Sequence, residues 1–194
     1  MITTPCILFA GGKSSRMGED KALLPFASFS TLAEYQYSRL SKIFTTVYIS
    51  CKDASIFPFE ANFIEDSKEQ ELYAPTAGFM AAFQAIEDEK FFVLSVDSPF
   101  VHEKIIQQLI NADKETFDAT IAKTDEGIQP LCGIYHKTLQ KPVSKMIEED
   151  NHRLGYLLKS VKTNYCYFPD SSPFLNMNHP HEYKKALSLI NSLL

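Results

Sequence analysis

The feature that most constrains the fold is an apolar run near the N-terminus that ends abruptly at paired glycines. Residues Cys6–Phe9 read CILF, which is long enough for one buried strand, and the chain continues through Ala10 into Gly11 and Gly12. Glycine has no Cβ and tolerates positive φ, so backbone N–H groups in such a loop approach an anion closely. This arrangement predicts a phosphate site at the end of a buried strand.

The same loop concentrates hydrogen-bond donors and positive charge. Lys13, Ser14, Ser15 and Arg16 follow the glycines, and Lys21 comes shortly after them. The planar guanidinium of an arginine pairs with two phosphate oxygens at once, which a lysine cannot do. We therefore expect a nucleoside triphosphate to bind to this loop.

Two common phosphate loops do not match the spacing. The Walker A pattern would need its first glycine at Ile7, inside the apolar run. The dinucleotide pattern G-x-G-x-x-G is excluded as well, because the glycines stand at Gly11, Gly12 and Gly18. What remains is the pattern G-G-x-S-x-R-M-G-x-D-K.

That pattern resembles the glycine loop of the molybdenum cofactor guanylyltransferases, which are nucleotidyltransferases acting on a phosphorylated metabolite. In that family, a strand ending in L-A-G-G carries the GTP phosphates, and the matching positions here are Phe9, Ala10, Gly11 and Gly12. The resemblance further implies that Arg16 holds the β- and γ-phosphates. It implies that Lys21 lies near the α-phosphate.

Length and composition narrow the class of protein. The chain has 194 residues, which predicts a single domain over 1–194. The net charge of −5 argues against a nucleic-acid surface, and no apolar run is long enough to span a membrane. The N-terminus has no signal-peptide pattern, and the four cysteines form no C-x-x-C pair. These features predict a cytoplasmic protein.

The order of predicted elements indicates an α/β fold. Strands are predicted at 6–9, 45–50, 62–66, 91–96, 118–122, 129–135 and 164–168, and helices at 30–44, 75–86, 102–112, 137–150, 153–161 and from 180. This alternation predicts a three-layer, Rossmann-like nucleotidyltransferase fold with a mostly parallel sheet and helices on both faces. Ligands bind beyond the carboxyl ends of such strands, so Gly11 and Asp97 should meet at one edge.

Asp97 directly follows the most apolar predicted strand, FFVLSV. A carboxylate there suits Mg²⁺, which usually takes one or two protein carboxylates and completes its shell with phosphates and water. Asp97 equally suits the N-cap of the next helix, together with Ser98 and Pro99. The resemblance favours the metal role, because an aspartate in the family's C-x-x-D-x-P segment binds Mg²⁺.

Two further residues are candidates for the nucleotide side. Asp66 matches the family's nucleotide-side carboxylate, and a carboxylate accepts hydrogen bonds from the N1–H and amino group of guanine. A strand-end aspartate in a turn is the alternative. Ser50 stands where the family often has asparagine, so the resemblance implies a nucleotide contact there with a shorter side chain.

The acceptor side is predicted from two segments. Gly78 lies in P-T-A-G, which resembles the family's G-P-x-A-G turn, and its backbone N–H would face a pterin phosphate. Asn176 and Asn178 lie in F-L-N-M-N-H-P, which resembles F-x-N-x-N-T-P. Their amides suit the pterin or the metal shell, and turn formation or helix capping suits them equally. We assign no metal to His179 and His181.

The resemblance implies a guanylyltransferase that uses Mg²⁺, GTP and molybdenum-bound molybdopterin and has transient contact with molybdoenzymes or cofactor-insertion proteins. A cytidylyl- or other nucleotidyltransferase is the alternative within the same chemistry. A nucleotide-binding regulator without turnover is the alternative from another class. The presence of both Lys21 and Asp97 argues against the regulator, since a pure binder needs no precisely placed metal carboxylate.

Overall fold

The computed structural model describes residues 1–11, 20–66 and 74–191. Seven strands lie within these residues: β1 (Cys6–Phe9), β2 (Val47–Cys51), β3 (Asn62–Glu65), β4 (Lys90–Ser95), β5 (Ala119–Thr124), β6 (Gly127–His136) and β7 (Thr163–Tyr167). The α-helices are α1 (Leu32–Leu40), α2 (Pro75–Ala85), α3 (Glu103–Ala112), α4 (Gln140–Glu148), α5 (Leu154–Ser160) and α6 (Pro180–Asn191).

The strands form one sheet in the order β3-β2-β1-β4-β6-β5-β7. Among the described strands only β6 is antiparallel to its neighbours, β4 and β5, so the predicted mostly parallel sheet is confirmed. The reversal occurs in the tight turn between β5 and β6. Gly127 has φ of +133° at this turn, a conformation that residues with a Cβ rarely adopt.

The sheet separates two hydrophobic cores. On one face, Leu8 and Phe92 pack with apolar residues of α1, α3 and α6. On the other face, Ile7 and Val93 pack with α2, α4 and α5. Successive strand residues point to opposite faces, so the continuous apolar runs of β1 and β4 indicate burial on both sides. The predicted three layers are therefore confirmed.

Two predicted helices have different boundaries in the structure. The helix predicted over 30–44 spans only Leu32–Leu40, because the Thr31 side chain accepts from the Glu34 N–H and fixes the start. The helical stretch predicted over 137–150 divides into a 3₁₀ turn, Lys137–Leu139, and α4. Pro142 lies in the first turn of α4, where a missing N–H costs little. No helix in the described ranges has the length and apolar character needed to cross a membrane.

Candidate active site

The carboxyl ends of β1, β2 and β4 lie side by side. Phe9, the last residue of β1, pairs with Ser50 on one side and Ser95 on the other. Backbone hydrogen bonds continue beyond these pairs, from Ala10 N–H to the Ser50 carbonyl and from Val96 N–H to the Phe9 carbonyl, both 2.9 Å. Gly11 lies two residues after Phe9, and Asp97 lies two residues after Ser95. The structure therefore brings them to the same edge of the sheet.

Lys21, which follows the glycine loop in the sequence, also lies at this edge. It begins a 3₁₀ turn, Lys21–Leu23, whose start is fixed by the Asp20 carboxylate accepting from the Ala22 N–H. The Lys21 Nζ lies 2.9 Å from Asp97 Oδ2 and donates to Asn178 Oδ1, also at 2.9 Å. The Ser95 hydroxyl donates to Asp97 Oδ1 at 2.7 Å. Both carboxylate oxygens of Asp97 are thus held in place.

The Lys21–Asp97 ion pair is largely shielded from solvent. The side chains of Lys21 and Asp97 are 19% and 16% exposed, respectively. Attraction between charges is screened less in such a setting than on an open surface. The N-cap of α3 is His102, so Asp97 does not cap that helix. This excludes the capping alternative for α3, and the metal role of Asp97 stays a prediction.

The two asparagines lie beside Asp97. The Met177 N–H donates to the Asp97 backbone carbonyl at 3.1 Å, which fixes the segment before α6 against the end of β4. The Ser98 hydroxyl donates to Asn176 Oδ1 at 2.6 Å. The Glu182 carboxylate accepts from the backbone N–H groups at the start of α6, those of Asn178 and His179, both at 2.7 Å. The two amide side chains are therefore directed to the site while Glu182 takes these helix-terminal N–H groups.

A cavity of about 330 Å³ opens beside Asp97 on the β6 side of the sheet. Its lining comes from the carboxyl end of β4, from β6, from the first residues of α2 and α5, and from the segments that precede α5 and α6. Polar and apolar groups both contribute, among them Pro75, Gln129, His152, Leu154, Phe174 and Asn176. Such a mixed, concave lining is typical of a small-molecule site.

Asp66 lies at the opposite side of the edge, directly after β3. Its backbone N–H donates to the Cys51 carbonyl at 2.9 Å. Its Oδ1 is buried and has no hydrogen-bond partner among the residues that the structure describes. Burial raises the pKa of Asp66 to about 6, against the lowering effect of nearby Lys52. A buried acceptor without a donor is costly, which makes this oxygen a candidate for contact with a ligand.

Gly78 has a packing role that the sequence did not indicate. A Cβ at this position would lie 2.8 Å from Phe9 Cε1 and 2.8 Å from Ser50 Oγ. Phe9 and Ser50 are both buried, and the Phe9 ring also packs against Phe79, with centroids 4.9 Å apart. The absence of a side chain at Gly78 therefore allows α2 to lie directly on the ends of β1 and β2.

Some predicted residues cannot be placed. Gly12 and Arg16 fall within 12–19, outside the described residues, so their phosphate contacts stay predictions. Ala10 is buried and Gly11 is exposed at the sheet edge. His179 and His181 stack on each other, with centroids 5.6 Å apart, at the start of α6.

Sequence reasoning missed three residues that shape the site. The Ser95 and Ser98 hydroxyls orient Asp97 and Asn176, and their position beside Asp97 in the sequence was a usable signal. His152 lines the cavity. It stands in a polar turn, where a histidine has no distinguishing pattern.

Comparison with known proteins identifies the family. The chain matches the model of the MobA-like NTP transferase domain over residues 6–163. It belongs to that family. This MobA-like chain is therefore a nucleotidyltransferase, and the resemblance inferred from the glycine loop is confirmed.

Curated relatives extend the match beyond the domain model. A molybdenum cofactor guanylyltransferase of Campylobacter jejuni subsp. doylei is 37% identical over 183 residues, covering 94% of this MobA-like chain and 95% of the relative. One from Helicobacter pylori is 31% identical, covering 96% and 92%. The solved structure of molybdopterin-guanine dinucleotide biosynthesis protein A from Archaeoglobus fulgidus superimposes with a TM-score of 0.83 at 21% identity, covering 97% and 100%. At that identity the likeness shows the fold.

Proposed function

We propose that this chain transfers GMP from GTP to the terminal phosphate of molybdenum-bound molybdopterin, forming the guanine dinucleotide cofactor and releasing pyrophosphate. One observation carries the proposal: Lys21, Asp97 and Asn178 are in contact at the edge where β1 opens into the glycine loop. The curated relatives, named for this activity and matched over most of the chain, support it.

The surroundings of Asp97 fit a divalent cation. The Asp97 carboxylate already pairs with the Lys21 ammonium, and the amide oxygens of Asn178 and Asn176 accept from Lys21 and Ser98 beside it, which supports a cation site. The described residues contain no cluster of three or more His, Cys, Asp or Glu that would hold a metal. A single carboxylate suits Mg²⁺, which takes its remaining ligands from substrate phosphates and water. When bound, Mg²⁺ would stabilise the charge that develops on the transferring and leaving phosphates.

The protein groups have distinct tasks in the proposed reaction. An oxygen of the acceptor phosphate attacks the α-phosphorus of GTP, and the bond from that phosphorus to the bridging oxygen of pyrophosphate breaks. The attacking phosphate is already anionic, so no protein base is needed. Lys21 would turn from Asp97 to the α-phosphate. The amides of Gly11 and Gly12 and the guanidinium of Arg16 would hold the leaving phosphates.

We assign the base to the β3 side of the site. The buried Oδ1 of Asp66, which has no donor within the described part of the chain, would accept from the N1–H and amino group of guanine. Cytosine has no N1–H to donate. Ser50 lies between Asp66 and the glycine loop in the sheet order, and contact with the nucleotide there stays a prediction.

We assign the acceptor to the cavity on the β6 side. Its polar end at Asp97, Asn176 and Asn178 suits a phosphate with its metal, and its apolar wall suits a ring system. The four cysteines are free thiols, which supports a reducing cytoplasm as the location. We further propose that 1–194 act as one domain, with transient contact to molybdoenzymes or cofactor-insertion proteins at product release.

The test is turnover with each nucleotide. The purified protein is incubated with Mg²⁺, molybdenum-bound molybdopterin and one of ATP, CTP, GTP or UTP, and both pyrophosphate and the dinucleotide are measured. We expect product with GTP. Turnover with CTP alone would replace the proposal by a cytidylyltransferase, and tight GTP binding without pyrophosphate would replace it by a regulator.

A further inference from the structure

Side-chain hydrogen bonds of His152 connect the turn before α5 to the first turn of α2. The Nδ1 of His152 lies 2.7 Å from the hydroxyl of Thr76, and its Nε2 lies 3.0 Å from Asp150 Oδ1. Thr76 is fully buried, whereas the Asp150 side chain is 92% exposed. His152 therefore joins a surface turn to a buried position at the start of a helix.

The donors in this chain of contacts follow from the chemistry of the groups. An ionised carboxylate only accepts, so the Nε2 of His152 carries the proton that is donated to Asp150. In the neutral ring the Nδ1 then accepts from the Thr76 hydroxyl. Both ring nitrogens are used within the protein.

The turn that carries His152 is shaped for this contact. Asp150 has a φ of 52°, in the left-handed region where an aspartate is tolerated better than most residues. The Asn151 N–H donates to the Met146 carbonyl at 2.8 Å, and the Asn151 side chain accepts from the Arg153 N–H at 3.2 Å. These contacts direct the His152 side chain toward α2.

His152 lies on the acceptor side of Asp97. It lines the cavity of about 330 Å³ together with Pro75, which precedes Thr76, and with Leu154, which begins α5. Strands β1 to β3, which carry the nucleotide-side candidates, lie on one side of β4 in the sheet. Strand β6, which contributes to the cavity wall, lies on the other side of β4. Gly78, on the same helix, packs instead against Phe9 and Ser50 at the ends of β1 and β2.

We propose that His152 is a positioning residue for the acceptor substrate: through Thr76 it holds the 150–153 turn against α2 and so sets the width of the cavity beside Asp97. This inference rests on the proposed function. A wider cavity would contact the acceptor less closely, so its loss of shape should weaken acceptor binding and leave GTP binding unchanged.

The test separates binding of the two substrates. Thr76→Val removes the hydroxyl at nearly constant shape, Thr76→Ser keeps it, and His152→Ala removes the ring. We expect Thr76→Val and His152→Ala to raise the KM for molybdenum-bound molybdopterin by about 10-fold, with the KM for GTP within about 2-fold of the parent. Thr76→Ser should stay near the parent, and the double variant should be no worse than either single one, because both remove one contact.

His102→Ala is the matched control, since His102 is an exposed histidine at the start of α3. An unchanged acceptor KM in Thr76→Val and His152→Ala would overturn the inference. So would equal increases in both KM values, which indicate general loosening.

A second measurement separates this inference from the proposed function. Hydrogen exchange of 74–78 and 150–153 is followed after adding molybdenum-bound molybdopterin alone. Protection in the parent but not in Thr76→Val supports the positioning role even where no GMP is transferred. The absence of protection in the parent overturns the positioning role, whatever the turnover assay gives.

Discussion

The Lys21 ammonium and the Asp97 carboxylate meet at 2.9 Å across 76 residues of sequence. Lys21 follows the glycine loop in the sequence and Asp97 follows β4, so this ion pair joins two separate segments of the chain. Asn178 adds a third segment through its own hydrogen bond to Lys21. The groups proposed to handle the α-phosphate and the metal are therefore assembled in the fold itself.

The first prediction concerns Asp97. Asp97→Asn keeps an oxygen for the Ser95 hydroxyl but removes the charge that would hold Mg²⁺. We expect pyrophosphate release to fall by at least about 100-fold, because the variant cannot hold the cation that stabilises the transferring phosphate. The measurement is a steady-state pyrophosphate assay with GTP and molybdopterin, with circular dichroism to follow the fold.

The control is Asp88→Asn, at an exposed aspartate before β4, which should keep full activity. Near-parental turnover in Asp97→Asn would remove the metal assignment.

The second prediction concerns the pH dependence of GTP binding at Asp66. Burial raises the pKa of Asp66 to about 6, so the carboxylate is ionised above that pH and protonated below it. Guanine donors favour the ionised form, and GTP affinity should therefore fall as the pH drops through about 6. In Asp66→Asn the affinity at pH 7.5 should be lower by about 10-fold, and it should change less across this window than in the parent. Calorimetry from pH 5 to pH 8 measures both.

Replacement of Asp66 should also change the stability of the protein, and it should raise stability while it lowers GTP affinity. A raised pKa in the folded state means that the ionised carboxylate destabilises it at neutral pH. Asp66→Asn should consequently raise the Tm at pH 7.5 while weakening GTP binding. Glu60→Gln, at an exposed glutamate in the turn before β3, should change neither property. A parental GTP affinity in Asp66→Asn at pH 7.5 would contradict the assignment of the base.

The third prediction concerns the packing of α2. In Gly78→Ala the new methyl would lie 2.8 Å from Phe9 Cε1 and Ser50 Oγ, and the buried Phe9 ring has little room to move. We expect the free energy of unfolding to fall by about 1–3 kcal/mol, the usual cost of overpacking. Gly155→Ala is the control, because its nearest neighbour would be Ile128 Cδ1 at 3.9 Å, and it should be neutral or gain up to about 1 kcal/mol. Urea denaturation measures both, and equal effects would refute the packing role.

The fourth prediction concerns a buried cluster centred on Asp113. The Asp113 side chain is fully buried and accepts from Lys90 at 2.6 Å, from His136 at 3.0 Å and from the Thr120 hydroxyl at 2.8 Å. Burial alone raises the pKa of this carboxyl, but the hydrogen bonds from His136, Lys90 and Thr120 lower it to about 2. The stabilisation is therefore complete above the unfolded pKa of about 3.9 and is lost as the pH falls to about 2.

Asp113→Asn should lower the free energy of unfolding by about 3–5 kcal/mol at pH 7, because it leaves Lys90 and His136 without their carboxylate. The difference from the parent should shrink as the pH falls from about 4 toward 2. Urea denaturation at pH 7 and pH 3 provides the comparison, with the exposed Glu115→Gln as control. A difference that is constant with pH would contradict the role of the Asp113 charge.

The sequence predicted much of the sheet and part of the site for a local reason. Apolar runs that end at glycines or at Asp97 indicate buried strands with functional carboxyl ends, and this signal needs no knowledge of distant contacts. The fold class and the common edge of Gly11 and Asp97 followed from it, whereas the family followed from the resemblance of the glycine-loop motif.

Other features depend on contacts that no local pattern encodes. The reversed direction of β6 depends on pairing with β4 and β5, and its apolar run suits either direction. The Glu182 carboxylate accepts from the Asn178 and His179 N–H groups just before α6, a contact between neighbouring residues that the composition of the segment did not predict. The contact of His152 with Thr76 joins positions 76 residues apart.

What the sequence determined by itself was the identity of the elements and of the glycine loop, because periodicity and glycine content act within a few residues. What only the tertiary structure decided was which side chains come into contact, as with Lys21 and Asp97, and which buried groups have no partner among the described residues, as with Asp66 Oδ1. The physical reason is that hydrogen bonding, desolvation and close packing depend on distances between segments, and the folded chain alone sets those distances.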